Sequence, residues 1–543
     1  MTDLREYVVT LHDYNQLEEF YDDMETPGGN LYIPDRAVEL SLRRPNSRNT
    51  HYWLSDQEAE EIRQDPRVLA CELKPADLGM KPRPFVTQTS AFWDKSASNN
   101  ANHRNWGLLR CIEGQTRANW GSNGTTSQAG TIEYSATGRN VDVVIVDGMI
   151  NPAHPEYAVN ADGTGGSRVI QYNWLQHNLG SGTGTYVYTP YVDAGSSART
   201  ADNNHGAHVA GTACGNTQGW ARSANIYNIN PYGTDPNLID DLLLFDYIRA
   251  FHNNKQTNPA TGRRNPTICN NSWGYSYEID ITQITNIYYR GAYVGNAPYT
   301  GGTLTSYGIF NSGGFAYTPA RYAAVEADVT DAMNDGIIMV GAAGNDYTKI
   351  DVPGGQDYNN FYVYSGFAVY YHRGGAPTST TNMIEVGAIG TVVADSKATF
   401  SQCGPGVDLY APGQYIISSF NSTGSYGGIA DSRDANYYLG KISGTSMASP
   451  QVCGVLACVL ETYPHYGQTD LRNYLTAYSK SGQITDTAGS YGDYTSLQGS
   501  ANRYLYFYPE RAVSGTAYPK VNYSARPSVG AAWPRTRRRY QVN

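Results

Sequence analysis

The chain is short of charge, of paired cysteines and of long apolar runs, and each shortage removes a class of protein. Asp, Glu, Lys and Arg make up only 16% of its 543 residues, and the net charge is −10. An acidic chain lacks the basic surface that nucleic-acid binding needs, so no nucleic-acid partner is expected. No apolar stretch approaches the length of a membrane span, so no membrane partner is expected either. Met1-Thr2-Asp3-Leu4-Arg5-Glu6 offers no basic stretch followed by an apolar one, so no signal peptide is visible. The 7 cysteines are scattered and odd in number, which does not make a disulfide framework. Cys453 and Cys458 fall in an apolar stretch, where buried free thiols are expected. What the chain has in quantity is glycine and tyrosine, 57 and 46 residues. Its length exceeds one average domain and suffices for a large α/β core with appendages.

The most informative string is Gly444-Thr445-Ser446-Met447-Ala448-Ser449-Pro450. It sets a serine between a tight turn and an apolar run, Val452 to Leu460, that reads as a buried helix. A serine there meets free backbone N–H groups and the positive end of the helix dipole. That suits an oxygen nucleophile whose attack on a carbonyl creates an oxyanion. Pro450 is expected in the first helical turn, where proline is tolerated. A nucleophilic serine needs a base, and the base needs an orienting carboxylate. His205 lies in Asn204-His205-Gly206-Ala207-His208-Val209-Ala210-Gly211-Thr212, where small residues would let a helix approach a sheet closely. Asp147 ends Val141-Asp142-Val143-Val144-Ile145-Val146, a run that reads as a buried central strand. Taken singly, Asp147 reads equally as a turn-forming Asp-Gly. His205 alone reads equally as a structural histidine or as a metal ligand with His208.

The order Asp147, His205, Ser446 is the order found in subtilisin. With the three motifs around it, the chain resembles the subtilases, the subtilisin-like serine endopeptidases. Two departures are small: Ala207 stands where Thr is more usual, and Gly148-Met149 stands where Ser or Thr and then Gly are usual. A further segment, Gly336-Ile337-Ile338-Met339-Val340-Gly341-Ala342-Ala343-Gly344-Asn345, is an apolar strand running into a small-residue turn. Asn345 can donate its side-chain N–H to an oxyanion; on its own it would read as a turn residue. The resemblance implies a mostly parallel α/β sheet flanked by helices. It also implies catalysis by Asp147, His205, Ser446 and Asn345, with substrate contacts at Ser272, Trp273, Gly274, Ala343 and Gly344. Ile268-Cys269-Asn270-Asn271-Ser272-Trp273-Gly274 resembles the family strand whose edge pairs with the substrate backbone. Met383 to Ala388 and Phe400 to Gly413 resemble later strands and turns, and Trp106-Gly107-Leu108 the start of the mature catalytic domain. No cofactor is required by this chemistry. Structural calcium is common in the family, but no loop here offers a recognisable ligand set.

The amino-terminal region carries a second signal. Glu6 to Leu11 reads as a strand and Tyr14 to Met24 as an acidic amphipathic helix. Ser55 followed by Glu58 is a capping box that opens another helix. Asp65-Pro66-Arg67-Val68 then turns into a strand ending at Leu73. Helix, turn and strand in that order resemble the subtilisin propeptide family, small α+β domains of ferredoxin-like type. Such domains act as folding aids and as inhibitors whose tail lies in the active site. The expected organisation is a propeptide-like domain over 1–75, a Pro-, Ser- and Lys-rich linker over 76–104, a catalytic domain over 105–484 and an extension over 485–543. Three Tyr/Gly-rich insertions, 160–197, 275–319 and 347–381, read as surface loops or hairpins that reshape the cleft. Asp346 reads either as bordering the primary specificity pocket, favouring a basic side chain, or as a solvated turn residue. The basic tail Arg535-Thr536-Arg537-Arg538-Arg539 reads as solvated, or as docking on an acidic surface. The function expected is a serine endopeptidase acting on polypeptides, with its own amino-terminal domain as intramolecular inhibitor. The alternative is a structural or virion-associated protein on a subtilase scaffold whose cleft a retained propeptide blocks. Insertions and tail together resemble bacteriophage virion proteins.

Overall fold

Alternation along one five-residue strand sets the plan of the large domain. Val143 and Ile145 point into one buried cluster, Val144 and Val146 into another. A strand buried on both faces must be covered by helices on both faces. The computed structural model describes residues 4–33, 40–84, 106–113, 136–177, 188–191, 203–232, 238–390, 395–422, 428–487 and 494–507.

The amino-terminal part folds as its pattern predicts. It contains strand β1 (Arg5–Leu11), helix α1 (Leu17–Glu25), strands β2 (Leu40–Arg43) and β3 (Asn49–Leu54), helix α2 (Asp56–Ile62) and strand β4 (Val68–Leu73). The sheet order is β2-β3-β1-β4, antiparallel throughout, the ferredoxin-like arrangement. The Ser55–Glu58 capping box forms in both directions and starts α2.

Residues 76–104 are not all linker. Met80–Pro84 form strand β5. An edge strand needs main-chain groups and no apolar alternation, so Met80-Lys81-Pro82-Arg83-Pro84 gives no strand signal of its own; proline is admitted at an edge. Residues 85–104 lie outside the described residues.

The large domain contains strand β6 (Asp142–Val146), helix α3 (Asn203–Cys214), strand β7 (Asn225–Ile229), helix α4 (Leu244–Asn254), and strands β8 (Thr267–Asn271) and β9 (Trp273–Asp280). Helix α5 (Ala323–Asn334), strands β10 (Ile338–Ala342), β11 (Ile384–Ile389) and β12 (Leu409–Pro412), and helix α6 (Thr445–Thr462) follow. Six strands run parallel in the order β12-β11-β10-β8-β6-β7. Short strands at Arg503–Tyr504 and Lys480–Ser481 extend the β12 edge. Helix α6 is buried from Thr445 to Leu460 and packs, with α3, in the first cluster; α4 and α5 cover the other face. This is the mostly parallel α/β architecture expected. All 7 cysteines are buried and free.

The second and third insertions fold against each other, which sequence alone did not indicate. Strands Ile284–Tyr289 and Ala292–Asn296 pair with Phe361–Tyr364 and Phe367–Tyr370 in one four-stranded antiparallel sheet. One face of it, with Ile287, Tyr362 and Val369, closes a separate small core. Across its other face Tyr293, Tyr288, Phe361 and Tyr370 form a cross-strand aromatic row. Part of the first insertion, 178–187 and 192–200, lies outside the described residues, as do 508–543 with the basic tail.

The two folded parts meet through a buried ionic network. Arg44 is fully buried and donates to Asp246 Oδ2 at 2.8 Å, Asp328 Oδ2 at 2.6 Å and the Leu242 carbonyl at 2.7 Å. Ser47 and Asn49 also donate to the Asp328 carboxylate. Asp246 sits on α4 and Asp328 on α5, so one arginine joins the amino-terminal domain to both helices. Arg48 reaches Asp331 at 3.1 Å. The Glu72 carboxylate accepts from the Ala323 N–H at 3.2 Å, capping the first turn of α5.

Candidate active site

The parallel strands β6, β8 and β10 bring Asp147, Ser272 and Asn345 to their carboxyl ends, where such sheets carry their sites. Asp147 directly follows β6, and its carboxylate is fully buried. Oδ1 accepts from His205 Nδ1 at 2.7 Å, from the Gly148 N–H at 2.7 Å and from the Tyr232 hydroxyl at 2.7 Å. His205 stands in the first turn of α3. The small residues after it do what the sequence suggested: a β-carbon on Gly206 would collide with the Gly148 carbonyl. Gly206 therefore lets the helix start lie against the Asp147 loop. His205 Nε2 is buried and bonds to no described residue.

His208, one turn later, is held apart from this chemistry. Its Nε2 bonds the Ile416 carbonyl at 2.9 Å, and burial lowers its pKa to about 3. His208 is thereby tied to the backbone at Ile416 rather than to the Asp147 carboxylate that holds His205. Among the described residues no group of three or more His, Cys, Asp or Glu side chains is placed to hold a metal ion.

Ser446 is the second residue of α6 and is fully buried. Its hydroxyl donates to the Ser272 carbonyl at 3.0 Å, so in this state it is not bonded to His205. Pro450 departs from expectation: it lies inside α6, beyond the first turn. Proline has no N–H, so the carbonyl four residues earlier, that of Ser446, loses its helical partner. Ser272 Oγ replaces it, donating to the Ser446 carbonyl at 3.0 Å. Ser272 thus touches Ser446 with both its hydroxyl and its carbonyl.

Asn345 lies just beyond β10, after Gly344, whose φ of +112° favours glycine. Its Oδ1 accepts from the Thr445 N–H and the Thr445 hydroxyl, each at 2.9 Å. Two donors on Oδ1 fix which way the amide faces. Nδ2 is left buried with no partner among the described residues. Thr445 Oγ1 also accepts from the Gly344 N–H at 3.0 Å. Neither Thr445 nor Tyr232 was legible as a site residue. The first was hidden inside the serine motif, and the second was one of 46 tyrosines.

The candidate substrate strand is occupied. Trp273 and Gly274 begin β9, and β5 pairs antiparallel to them, Pro84 opposite Trp273 and Arg83 opposite Gly274. The Trp273 side chain itself is fully buried in the core beneath, so Trp273 offers this edge its backbone. Ala343 is buried as well. Asp346 is only 4% exposed, which rules out a solvated turn residue.

Residues 138–498 match the profile of the subtilase family. An extracellular serine proteinase of Thermus sp. (strain Rt41A) is 27% identical over 441 residues, 80% of this chain and 72% of that protein. Alkaline serine exoprotease A of Vibrio alginolyticus is 24% identical over 444 residues, 80% of this chain and 56% of its own length. Among solved structures, fervidolysin of Fervidobacterium pennivorans, a keratinolytic enzyme related to subtilisin, is 18% identical, with a TM-score of 0.48 over 92% of this chain and 60% of that one. A cold-adapted subtilisin-like serine proteinase is 20% identical, with a TM-score of 0.43 over 75% of this chain and 98% of the other. No helix among the described residues is long and apolar enough to cross a membrane. With the family profile matching residues 138–498, more than half of its length, the chain belongs to the subtilase family and is a serine protease of that family.

Proposed function

We propose that the chain is an endopeptidase that cleaves polypeptides through an acyl-enzyme. Ser446 attacks the scissile carbonyl, and His205 takes its proton and returns it to the leaving amine. Asp147 holds the imidazole in one tautomer and stabilises the imidazolium. The oxyanion is bound by Asn345 Nδ2 and by the Ser446 N–H at the start of α6. The observation that carries this reading is the buried 2.7 Å contact between Asp147 Oδ1 and His205 Nδ1, which leaves Nε2 free to serve a nucleophile. For the reaction, the Ser446 hydroxyl turns from the Ser272 carbonyl toward that nitrogen. The free Nδ2 of Asn345 supports the oxyanion role, since a buried N–H without a partner is costly unless something fills the gap. Substrate would bind by strand addition along β9, with Ser272, Trp273 and Gly274 on one side and the Ala343-Gly344 turn on the other.

Residues 1–75 act, in this reading, as an intramolecular inhibitor. Support comes from β5, which already pairs with the edge a substrate would use, and from the Arg44 network that ties the domain to α4 and α5. The unprocessed chain is then a closed form, opened by a cut beyond Pro84. A fluorophosphonate probe followed by mass mapping tests the reading. Label is expected on Ser446 of protein that has lost its amino-terminal segment, and none on Ser446→Ala. Label of equal yield on another side chain of both proteins refutes it.

A further inference from the structure

Asp147 is followed by Gly148, which brings a backbone N–H to the carboxylate but no side chain. The third donor comes from elsewhere in the chain. β7 ends at Ile229, and three residues later Tyr232 places its hydroxyl on Asp147 Oδ1, the same oxygen that holds His205 Nδ1. This placement is built. The Tyr232 N–H donates to Asn230 Oδ1 at 3.1 Å, closing a local turn. Two residues before that, Asn228 Nδ2 donates to the carbonyls of Asp147 at 3.0 Å and Gly148 at 3.2 Å. The end of β7 therefore fixes the Asp147 loop twice, by its backbone through Asn228 and by its carboxylate through Tyr232.

We propose that Tyr232 is a positioning residue of the triad, which holds the Asp147 carboxylate toward His205 and tempers its basicity through a hydroxyl donated to Oδ1. The proposal rests on the triad reading above. A hydrogen bond donated to an ionised carboxylate stabilises the charge and draws it away from other partners. With the bond in place Asp147 attracts the imidazolium less strongly; without it, His205 binds its proton more tightly. The donor is dependable: burial and the adjacent Asp147 charge push the Tyr232 phenol well above its ordinary value, so it stays protonated. The titratable groups facing His205 among the described residues are Asp147 just after β6, Tyr232 beyond β7 through that carboxylate, and His208 one turn along α3. His208 stays neutral above a pKa of about 3, so it does not blur the effect near neutral pH.

The test is Tyr232→Phe, which keeps the ring and removes only the hydroxyl. In the full-length Ser446→Ala chain, ring-labelled histidine NMR reads His205 directly, with His205→Gln identifying its signals. Tyr232→Phe is expected to raise the His205 pKa by about half a unit to one unit, because a carboxylate relieved of one donor draws the imidazolium more strongly. In active protein the same variant should move the acid limb of kcat/KM up by the same amount. It should lower kcat about tenfold and leave KM within twofold, as expected when a triad member is less well held. In an Asp147→Asn background the hydroxyl has no charge to temper, and the further change from Tyr232→Phe should vanish. An unmoved His205 pKa in Tyr232→Phe overturns the proposal. So does a shift that persists in Asp147→Asn, or a loss confined to KM, which would make Tyr232 a wall of the substrate cleft. Failure of the underlying triad reading looks different: Asp147→Asn alone would then leave both His205 and hydrolysis as in the parent.

Discussion

Arg44 offers the sharpest test of how the two domains are held together. Its guanidinium is fully buried and bonds two carboxylates on two helices of the large domain, at 2.8 and 2.6 Å, and a carbonyl at 2.7 Å. Arg44→Ala removes the only one of these groups that carries positive charge and leaves Asp246 and Asp328 facing each other. Burial already pushes Asp246 upward, and the neighbouring Asp328 adds to it, so the pair tolerates loss of its cation poorly. Removing one partner of a buried ion pair costs about 3–5 kcal/mol, because an uncompensated charge is left behind. At about 1.4 kcal/mol per factor of ten, the docked arrangement should weaken by roughly 10²- to 10⁴-fold. Native-state hydrogen exchange on the Ser446→Ala chain, which cannot digest itself in this account, measures the change. Amides that bond across the interface, including Ala323 and the paired amides of β5 and β9, should lose protection by that factor. Those of β10 and β11 should not. A triple variant, Arg44→Met with Asp246→Leu and Asp328→Leu, should recover most of the protection, since apolar groups of similar size often replace a buried ion cluster without loss. Exchange within threefold of the parent in Arg44→Ala would refute the claim that this network holds the domains together.

Asn345→Ala should lower kcat about 10²- to 10³-fold with little change in KM, the size known for the equivalent donor in a subtilisin; a loss seen only in KM would assign Asn345 to substrate positioning. Glu156 yields a pH prediction. Burial pushes its carboxyl up, but Arg433 and the Thr217 donors hold it down at about 2 against an ordinary 4.5. A depressed carboxyl contributes stability that is present above 4.5 and lost as pH falls toward 2. Calorimetry of Glu156→Gln should therefore show a melting temperature several degrees below the parent at pH 6, and the gap should close between pH 4.5 and 2. Sequencing of wild type and Ser446→Ala purified side by side should find a new amino terminus within residues 85–104 in the wild type alone. The same cut in the alanine variant, or one elsewhere, counts against self-processing there.

The features legible in the sequence are those whose physics is local. The β-branched run before Asp147 reads as a buried strand, and glycine and alanine after His205 announce a close helix approach. Ser55 and Glu58 state their own cap. What stayed hidden depends on partners distant in the chain. Met80 to Pro84 become a strand because β9 offers an edge, not because their side chains ask for one. The insertion strands at 284–296 find theirs at 361–370, a separation no periodicity reveals. Pro450 was expected nearer the helix start. Its deeper place is tolerated because Ser272, far upstream, supplies the donor that proline removed. Arg44, by composition a surface residue, is buried because two acids on separate helices converge on it. The Tyr232 contact to Asp147 likewise joins the ends of two adjacent strands and leaves no trace in either motif.

The central claim is that Ser446, activated by His205 and Asp147, hydrolyses peptide bonds. Initial rates on an unfolded protein substrate, compared for the processed wild type and for folded Ser446→Ala and His205→Ala, test it most directly. The account predicts hydrolysis by the wild type and a loss of several orders of magnitude in either variant, with circular dichroism unchanged. Activity within tenfold of the wild type in either one would contradict it.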